Sequence, residues 1–178
     1  HLGVRRQRQM CIRDRDIGTG SGCIIISIVN ERENCKATAI DKSLKALKVA
    51  KLNAEMHHVQ KKIKFLNIDV DKYLANKYDL IVSNPPYIKD IEILSLDKDV
   101  KLNEPKLALS GGKSGLNKVF KVIKKSQKLL KTNGKLILEI GFKQSKEVKK
   151  YLIKNNFNQI KIFKDLSGKN RCVVSTKN

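Results

Sequence analysis

No apolar run in this sequence approaches the roughly 18 residues that a membrane span needs, so nothing in it is built to cross a bilayer. Paired cysteines are missing too. The four present, at 11, 23, 35 and 172, contain no C-x-x-C, which excludes a zinc knuckle and a disulfide framework and reads as reduced cytosolic thiols. No metal site is expected. Acidic residues are scarce, 17 Asp+Glu against 38 Lys+Arg, giving a net charge of +21. Such an excess favours encounters with polyanions such as ribosomes, RNA or DNA, but says nothing about fold. What is present is a 40% share of hydrophobic residues, enough for a core and against wholesale disorder. A length of 178 residues fits one domain and leaves no room for a second catalytic unit.

Arginine is scarce everywhere except at the start. Five of the seven (Arg5, Arg6, Arg8, Arg13, Arg15) fall in the first fifteen residues, and only Arg32 and Arg171 follow. The remaining positive charge is lysine. The segment RRQRQMCIRDR, Arg5 to Arg15, looks like a translated sequencing-library adapter; the alternative is a basic arm for nucleic acid. Residues 1–15 are therefore expected to be an artefactual extension, and 16–178 a catalytic domain with an incomplete first strand. Taking away five arginines and Asp14, a net four positive charges, leaves the body at +17. On this reading Arg13-Asp14-Arg15 replaces a central strand. Burying those charges is unfavourable, so the segment is expected to pair poorly.

Along the body, the apolar run Cys23–Val29 reads as a buried helix. Lys36–Asp41 reads as a strand, and Ser43 caps a helix to about His57 with Leu44, Leu47, Ala50, Lys51 and Ala54 at helical spacing. Ile63–Asn67 and Asp79–Ser83 are strands, the second stopped by Pro85-Pro86. Residues 88–114 read as irregular. An amphipathic helix over 116–130 follows, and Asn133-Gly134 is expected to turn into the buried strand Lys135–Ile140. A helix over Ser145–Asn155 and strands at Ile160–Phe163 and Cys172–Ser175 complete the chain. Alternating strands and helices imply one α/β domain: a mostly parallel sheet with helices on both faces.

Gly18, Gly20 and Gly22 lie between a strand end and a helix start. Glycine permits the tight turn and close backbone approach to a ligand, and the helix offers unpaired N–H groups. The pattern G-x-G-x-G is not the dinucleotide fingerprint. Asp41 ends the next strand, an offset that suits a carboxylate holding two ribose hydroxyls; a turn plus a capping acid is the plainer alternative. Together, in this order, they favour a nucleoside cofactor. Asn84-Pro85-Pro86-Tyr87 follows the strand DLIVS. Proline has no N–H, so this loop offers carbonyl acceptors without competing donors. The Asn84 side-chain oxygen and the Pro85 carbonyl can then accept both hydrogens of one substrate –NH2, with Tyr87 as a flat stacking face. Gly112-Lys113-Ser114 fails as a P-loop because Leu107 stands where the first glycine is required. Glu139, at a strand end, reads as a structural acid.

D-I-G-T-G-S-G (16–22), A-I-D-K-S (39–43), Asp69-Val70 and N-P-P-Y (84–87) resemble the motifs of class I S-adenosylmethionine-dependent methyltransferases that modify –NH2 groups. The segment Asp99–Leu116 and the ending D-L-S-G-K-N-R (165–171) are similar to the protein glutamine methyltransferases, specifically the release factor (HemK/PrmC) family. The resemblance covers Asp16 to about Thr176; the family's N-terminal helical domain has no counterpart here. It implies a Rossmann-like class I methyltransferase fold. It implies that Gly18, Thr19, Gly20, Ser21 and Gly22 line the methionine part of S-adenosylmethionine and that Asp41 holds the ribose. Asp69 and Val70 would flank the adenine. Asn84 would touch cofactor and substrate, with Pro85, Pro86 and Tyr87 completing the amide site.

The resulting expectation is an enzyme: methyl transfer to the side-chain amide of the glutamine in the Gly-Gly-Gln loop of class 1 peptide chain release factors, in the cytoplasm. Asn84, Pro85 and Tyr87 carry the chemistry. The alternatives are a ribosomal-protein glutamine methyltransferase, an RNA or DNA adenine amino methyltransferase, and a basic binding fragment without activity.

Overall fold

The computed structural model describes residues 12–32, 34–73, 77–95 and 106–178. Residues 99–105, part of the segment 99–116 that carries some of the resemblance, lie outside the described residues. Seven strands form one sheet: β1 (Ile12–Ile17), β2 (Cys35–Asp41), β3 (Ile63–Asn67), β4 (Tyr78–Ser83), β5 (Leu130–Glu139), β6 (Phe157–Lys164) and β7 (Asn170–Lys177). Their spatial order is β3-β2-β1-β4-β5-β7-β6. β1 to β5 are parallel, and β7 runs antiparallel to both β5 and β6. The helices are α1 (Cys23–Glu31), α2 (Leu44–Met56), the single turns α3 (Asp90–Ile93) and α4 (Lys106–Leu109), α5 (Asn117–Leu129) and α6 (Ser145–Lys154). No helix among the described residues is long and apolar enough to cross a membrane.

The period of the apolar residues explains which faces are covered. On β2, Cys35, Ala37 and Ala39 alternate toward α1 and α2, where they meet Ile25, Ile26, Val29 and Ala54. Ile40 points the other way, into the core that α5 and α6 cover with Val119, Ile123, Val148 and Leu152. Each such fully buried aliphatic side chain contributes about 1.5–3 kcal/mol. Ser43 caps α2 as expected, its hydroxyl accepting the Ala46 N–H at 3.2 Å. Leu47, Ala50 and Ala54 form the buried face of α2, whereas Leu44 is exposed.

Two expectations are corrected. β1 pairs fully, through Ile12–Ile17 with β2 and through Asp14–Asp16 with β4, although Asp14 and Arg15 are completely buried. The backbone ladder does not depend on side-chain type, and each charge finds partial compensation. Asp14 accepts from Arg32 at 3.0 Å and from the Cys35 thiol at 3.3 Å. The Arg15 guanidinium lies 3.4 Å from the Tyr73 ring centre and 4.8 Å from that of Tyr78. The compensation is incomplete: among the described residues all three Arg15 guanidinium nitrogens lack a hydrogen-bond partner. Second, Asn133-Gly134 does not start β5. The strand begins at Leu130 and carries a register shift against Tyr78 and Leu80, with Asn133 in the left-handed region at φ 63°. Asparagine tolerates that conformation, and an irregularity of this kind bends a strand without ending it.

Candidate functional site

Parallel β1 to β5 bring their carboxyl ends to one edge of the sheet. The chain reverses its winding between β1 and β4, which leaves a crevice at that edge. Ser83 fastens the two strands there, its hydroxyl donating to the Ile17 carbonyl at 2.6 Å. The glycine loop after β1 and N-P-P-Y after β4 are thereby neighbours.

All three loop glycines have positive φ: Gly18 71°, Gly20 56° and Gly22 83°. The N–H groups of Gly18 and Thr19 both donate to the Ile40 carbonyl, at 2.9 and 3.0 Å. Beyond its chain neighbours, no atom among the described residues lies within 4 Å of where a Cβ would stand on Gly18 or Gly20, so the loop borders open space. Gly22 is different, because a Cβ there would meet Ala50 and Ile26 at 3.1 Å; its bareness lets α1 approach α2. Ser21 offers its carbonyl to Asn53 at 2.9 Å. Thr19 is buried and turns inward, its hydroxyl donating to Asp16 at 2.7 Å. Burial pushes the Asp16 carboxyl up to about 7 against the opposing Thr19 bond, and the Asp41 charge adds to the rise.

Asp41 ends β2 beside this loop. One carboxylate oxygen accepts the Gly20 N–H at 3.0 Å and the other the Ser43 N–H at 2.8 Å. Each oxygen keeps a second lone pair for a ligand. Beyond β3, Val70 is buried. Asp69 accepts the Asp71 N–H at 3.0 Å and pairs with Lys121 at 3.3 Å. The Asp71 amide and Lys121 hold its carboxyl below the usual range.

At the end of β4, Pro85 is buried, Pro86 and Tyr87 are half-buried and Asn84 is exposed. Among the described residues no donor takes the Asn84 side chain or the Pro85 carbonyl. The chain beyond is braced: Ile88 bonds to Leu109 at 3.2 Å and to Gly111 at 2.8 Å. The Tyr87 hydroxyl donates to Glu139 at 3.0 Å and accepts from Arg171 at 3.3 Å. Burial, with Glu139 beside it, pushes that phenol up. Sequence reasoning placed every glycine, Asp41 and N-P-P-Y at this edge. It gave Glu139 no chemistry and did not single out Gln144 or Arg171. Only the strand-end position of Glu139 hinted at it.

A sheet of this order with a glycine loop at its winding reversal and an acid ending the second strand is the class I methyltransferase fold, Rossmann-like in its parallel half. The ribosomal protein L11 methylase from Lactobacillus delbrueckii subsp. bulgaricus shares it, with a TM-score of 0.70 over 99% of this chain and 76% of that one at 19% identity. The chain belongs to the methyltransferase small domain family, whose model matches residues 7–101. It is 39% identical over 160 residues to a bifunctional methyltransferase of Rickettsia felis, covering 89% of this chain and 30% of that protein. It is 39% identical over 164 residues to a release factor glutamine methyltransferase of Fusobacterium nucleatum subsp. nucleatum, covering 91% of this chain and 46% of that protein. The chain thus spans less than half the length of either relative.

Proposed function

We propose that residues 16–178 form a catalytic domain that transfers a methyl group from S-adenosylmethionine to the side-chain amide nitrogen of a glutamine. The acceptor is the glutamine in the Gly-Gly-Gln loop of a class 1 peptide chain release factor, in the cytoplasm. Residues 1–15 are an extension foreign to that domain; the Arg15 nitrogens in a central strand, without a hydrogen-bond partner among the described residues, support this.

The residues present fit the cofactor. Gly18 and Gly20 border open space, and Asp41 has lone pairs to spare for ribose hydroxyls at the same edge. Gly18 to Gly22 would hold the methionine part, with Thr19 acting through Asp16, and Asp69 and Val70 would flank the adenine. When bound, S-adenosylmethionine supplies an electrophilic methyl on a sulfonium. The acceptor amide nitrogen would take that methyl, with a neutral thioether as the leaving group, and would give up a proton to solvent.

An amide nitrogen is a poor nucleophile because its lone pair is delocalised. The Asn84 side-chain oxygen and the Pro85 carbonyl would accept its two hydrogens, fixing its orientation and stabilising positive charge as it develops. Pro86 and Tyr87 wall the site. The observation that carries this reading is the pair of uncommitted acceptors, Asn84 and Pro85, at the end of β4 beside the glycine loop. Likeness to the Fusobacterium relative supports glutamine as the acceptor.

Labelled S-adenosylmethionine offered together with a release factor, ribosomal proteins and total RNA tests it. Label is expected in the release factor. Label in a ribosomal protein or in RNA instead would replace the acceptor with glutamine of that protein or with an adenine amino group.

A further inference from the structure

Three side chains far from N-P-P-Y in sequence converge on Tyr87. Glu139 ends β5, Gln144 precedes α6, and Arg171 is the second residue of β7. They grip both ends of the tyrosine. At the tip, the phenol donates to Glu139 Oε1 at 3.0 Å and accepts from Arg171 Nη1 at 3.3 Å. At the main chain, Gln144 Nε2 donates to the Tyr87 carbonyl at 3.0 Å and to the Gly115 carbonyl at 3.1 Å. Gln144 is itself held, its Oε1 accepting the Gly141 N–H at 3.0 Å. Arg171 is likewise fixed from behind, its Nε donating to Asp165 at 3.1 Å. Gly115 closes the cage, since a Cβ there would stand 2.6 Å from the Tyr87 carbonyl.

A phenol that merely fills space needs one partner. This one has an ionised acceptor and an ionised donor, and charge-assisted bonds are the stronger and more directional kind. With the carbonyl also pinned, the ring cannot turn about its Cα–Cβ bond without breaking bonds at one end. Resting on the reading that Asn84 to Tyr87 receive a planar amide, we propose that Arg171 and Gln144 are positioning residues. They set the Tyr87 ring, with Glu139 as its acceptor, in the orientation on which the substrate amide stacks. The β6–β7 turn is thereby tied to the catalytic loop through Asp165 and Arg171.

A double-mutant cycle in the full chain separates this role from plain structural support. Arg171→Gln should lower kcat about 10- to 100-fold, the scale for a misplaced reacting group, and leave the calorimetric dissociation constant of S-adenosylmethionine unchanged. In a Tyr87→Phe background, which keeps the ring and removes the hydroxyl, Arg171→Gln should cost nothing further. Equal losses in both backgrounds would mean that Arg171 only supports the Asp165 turn, and the inference falls. Fluorine NMR of fluorotyrosine-labelled protein, with the Tyr87 signal assigned by its loss in Tyr87→Phe, reads ring position without any acceptor. Arg171→Gln and Gln144→Leu should each shift or broaden that signal; an unmoved signal overturns the inference even if glutamine is methylated. If the wild-type chain methylates no glutamine while the signal does move, the functional reading fails and the positioning role stands.

Discussion

At the residue scale, Asp16 shows what the crevice demands of its own walls. It is fully buried behind the glycine loop, Thr19 bonds one oxygen, and the other has no partner among the described residues. Its carboxyl titrates at about 7 instead of 3.8 because burial disfavours the charge. Between these values the folded protein keeps a proton that the unfolded chain has lost. The stabilising contribution is therefore complete below pH 3.8 and is lost as pH rises to about 7, by at most about 1.4 kcal/mol per pH unit. Asp16→Asn should flatten the denaturation midpoint across that window; a midpoint that still falls equally steeply would assign the dependence elsewhere. Single residues were legible where backbone chemistry demands them: Gly18 and Gly20 by their positive φ, and Asn84 and Pro85 by the acceptors that a proline loop leaves open. Glu139, Gln144 and Arg171 were not, because their chemistry exists only where Tyr87 meets them, and no local spacing encodes that meeting.

At the element scale, strands and helices followed from apolar period and capping, and β2, α2, β4 and α6 lie within a residue or two of the positions expected for them. β1 did not follow. Charged side chains argued against a central strand, yet the ladder to β2 and β4 forms, because hydrophobic neighbours on both sides and the following glycine turn fix the segment. The cost remains on the side chain: Arg15 is buried on two tyrosine rings with no acceptor among the described residues. Replacing such a charge with an apolar residue of similar volume is often stabilising, by about 1–4 kcal/mol. Arg15→Leu should accordingly raise the urea midpoint at unchanged m-value. A lowered midpoint would mean that the tyrosine stacking outweighs desolvation, and that Arg15 belongs to the strand. The irregularity at Asn133 escaped for a simpler reason: Asn-Gly is the commonest turn pair, and only pairing with β4 shows it inside a strand.

At the scale of the whole molecule, the parallel sheet is what turns scattered motifs into one site. The glycine loop, Asp41, Asp69 and N-P-P-Y sit 15 to 28 residues apart in the chain and reach one edge only because β1 to β4 all point the same way. The antiparallel β7 then returns Arg171 to that edge from the far end of the chain. The strand order and the return of β7 were invisible to periodicity, which reports faces and not neighbours. The central claim is that the acceptors at the end of β4 direct a methyl group to an amide nitrogen. Single-turnover reaction of a release factor with saturating S-adenosylmethionine, followed by peptide mass spectrometry, tests it most directly. The account predicts one methyl on the glutamine of the Gly-Gly-Gln loop, and a loss of roughly 100–1,000-fold in rate for Asn84→Ala, the scale for deleting one preorganised hydrogen-bond partner. An unmodified glutamine, or an Asn84→Ala chain as fast as the wild type, would contradict it.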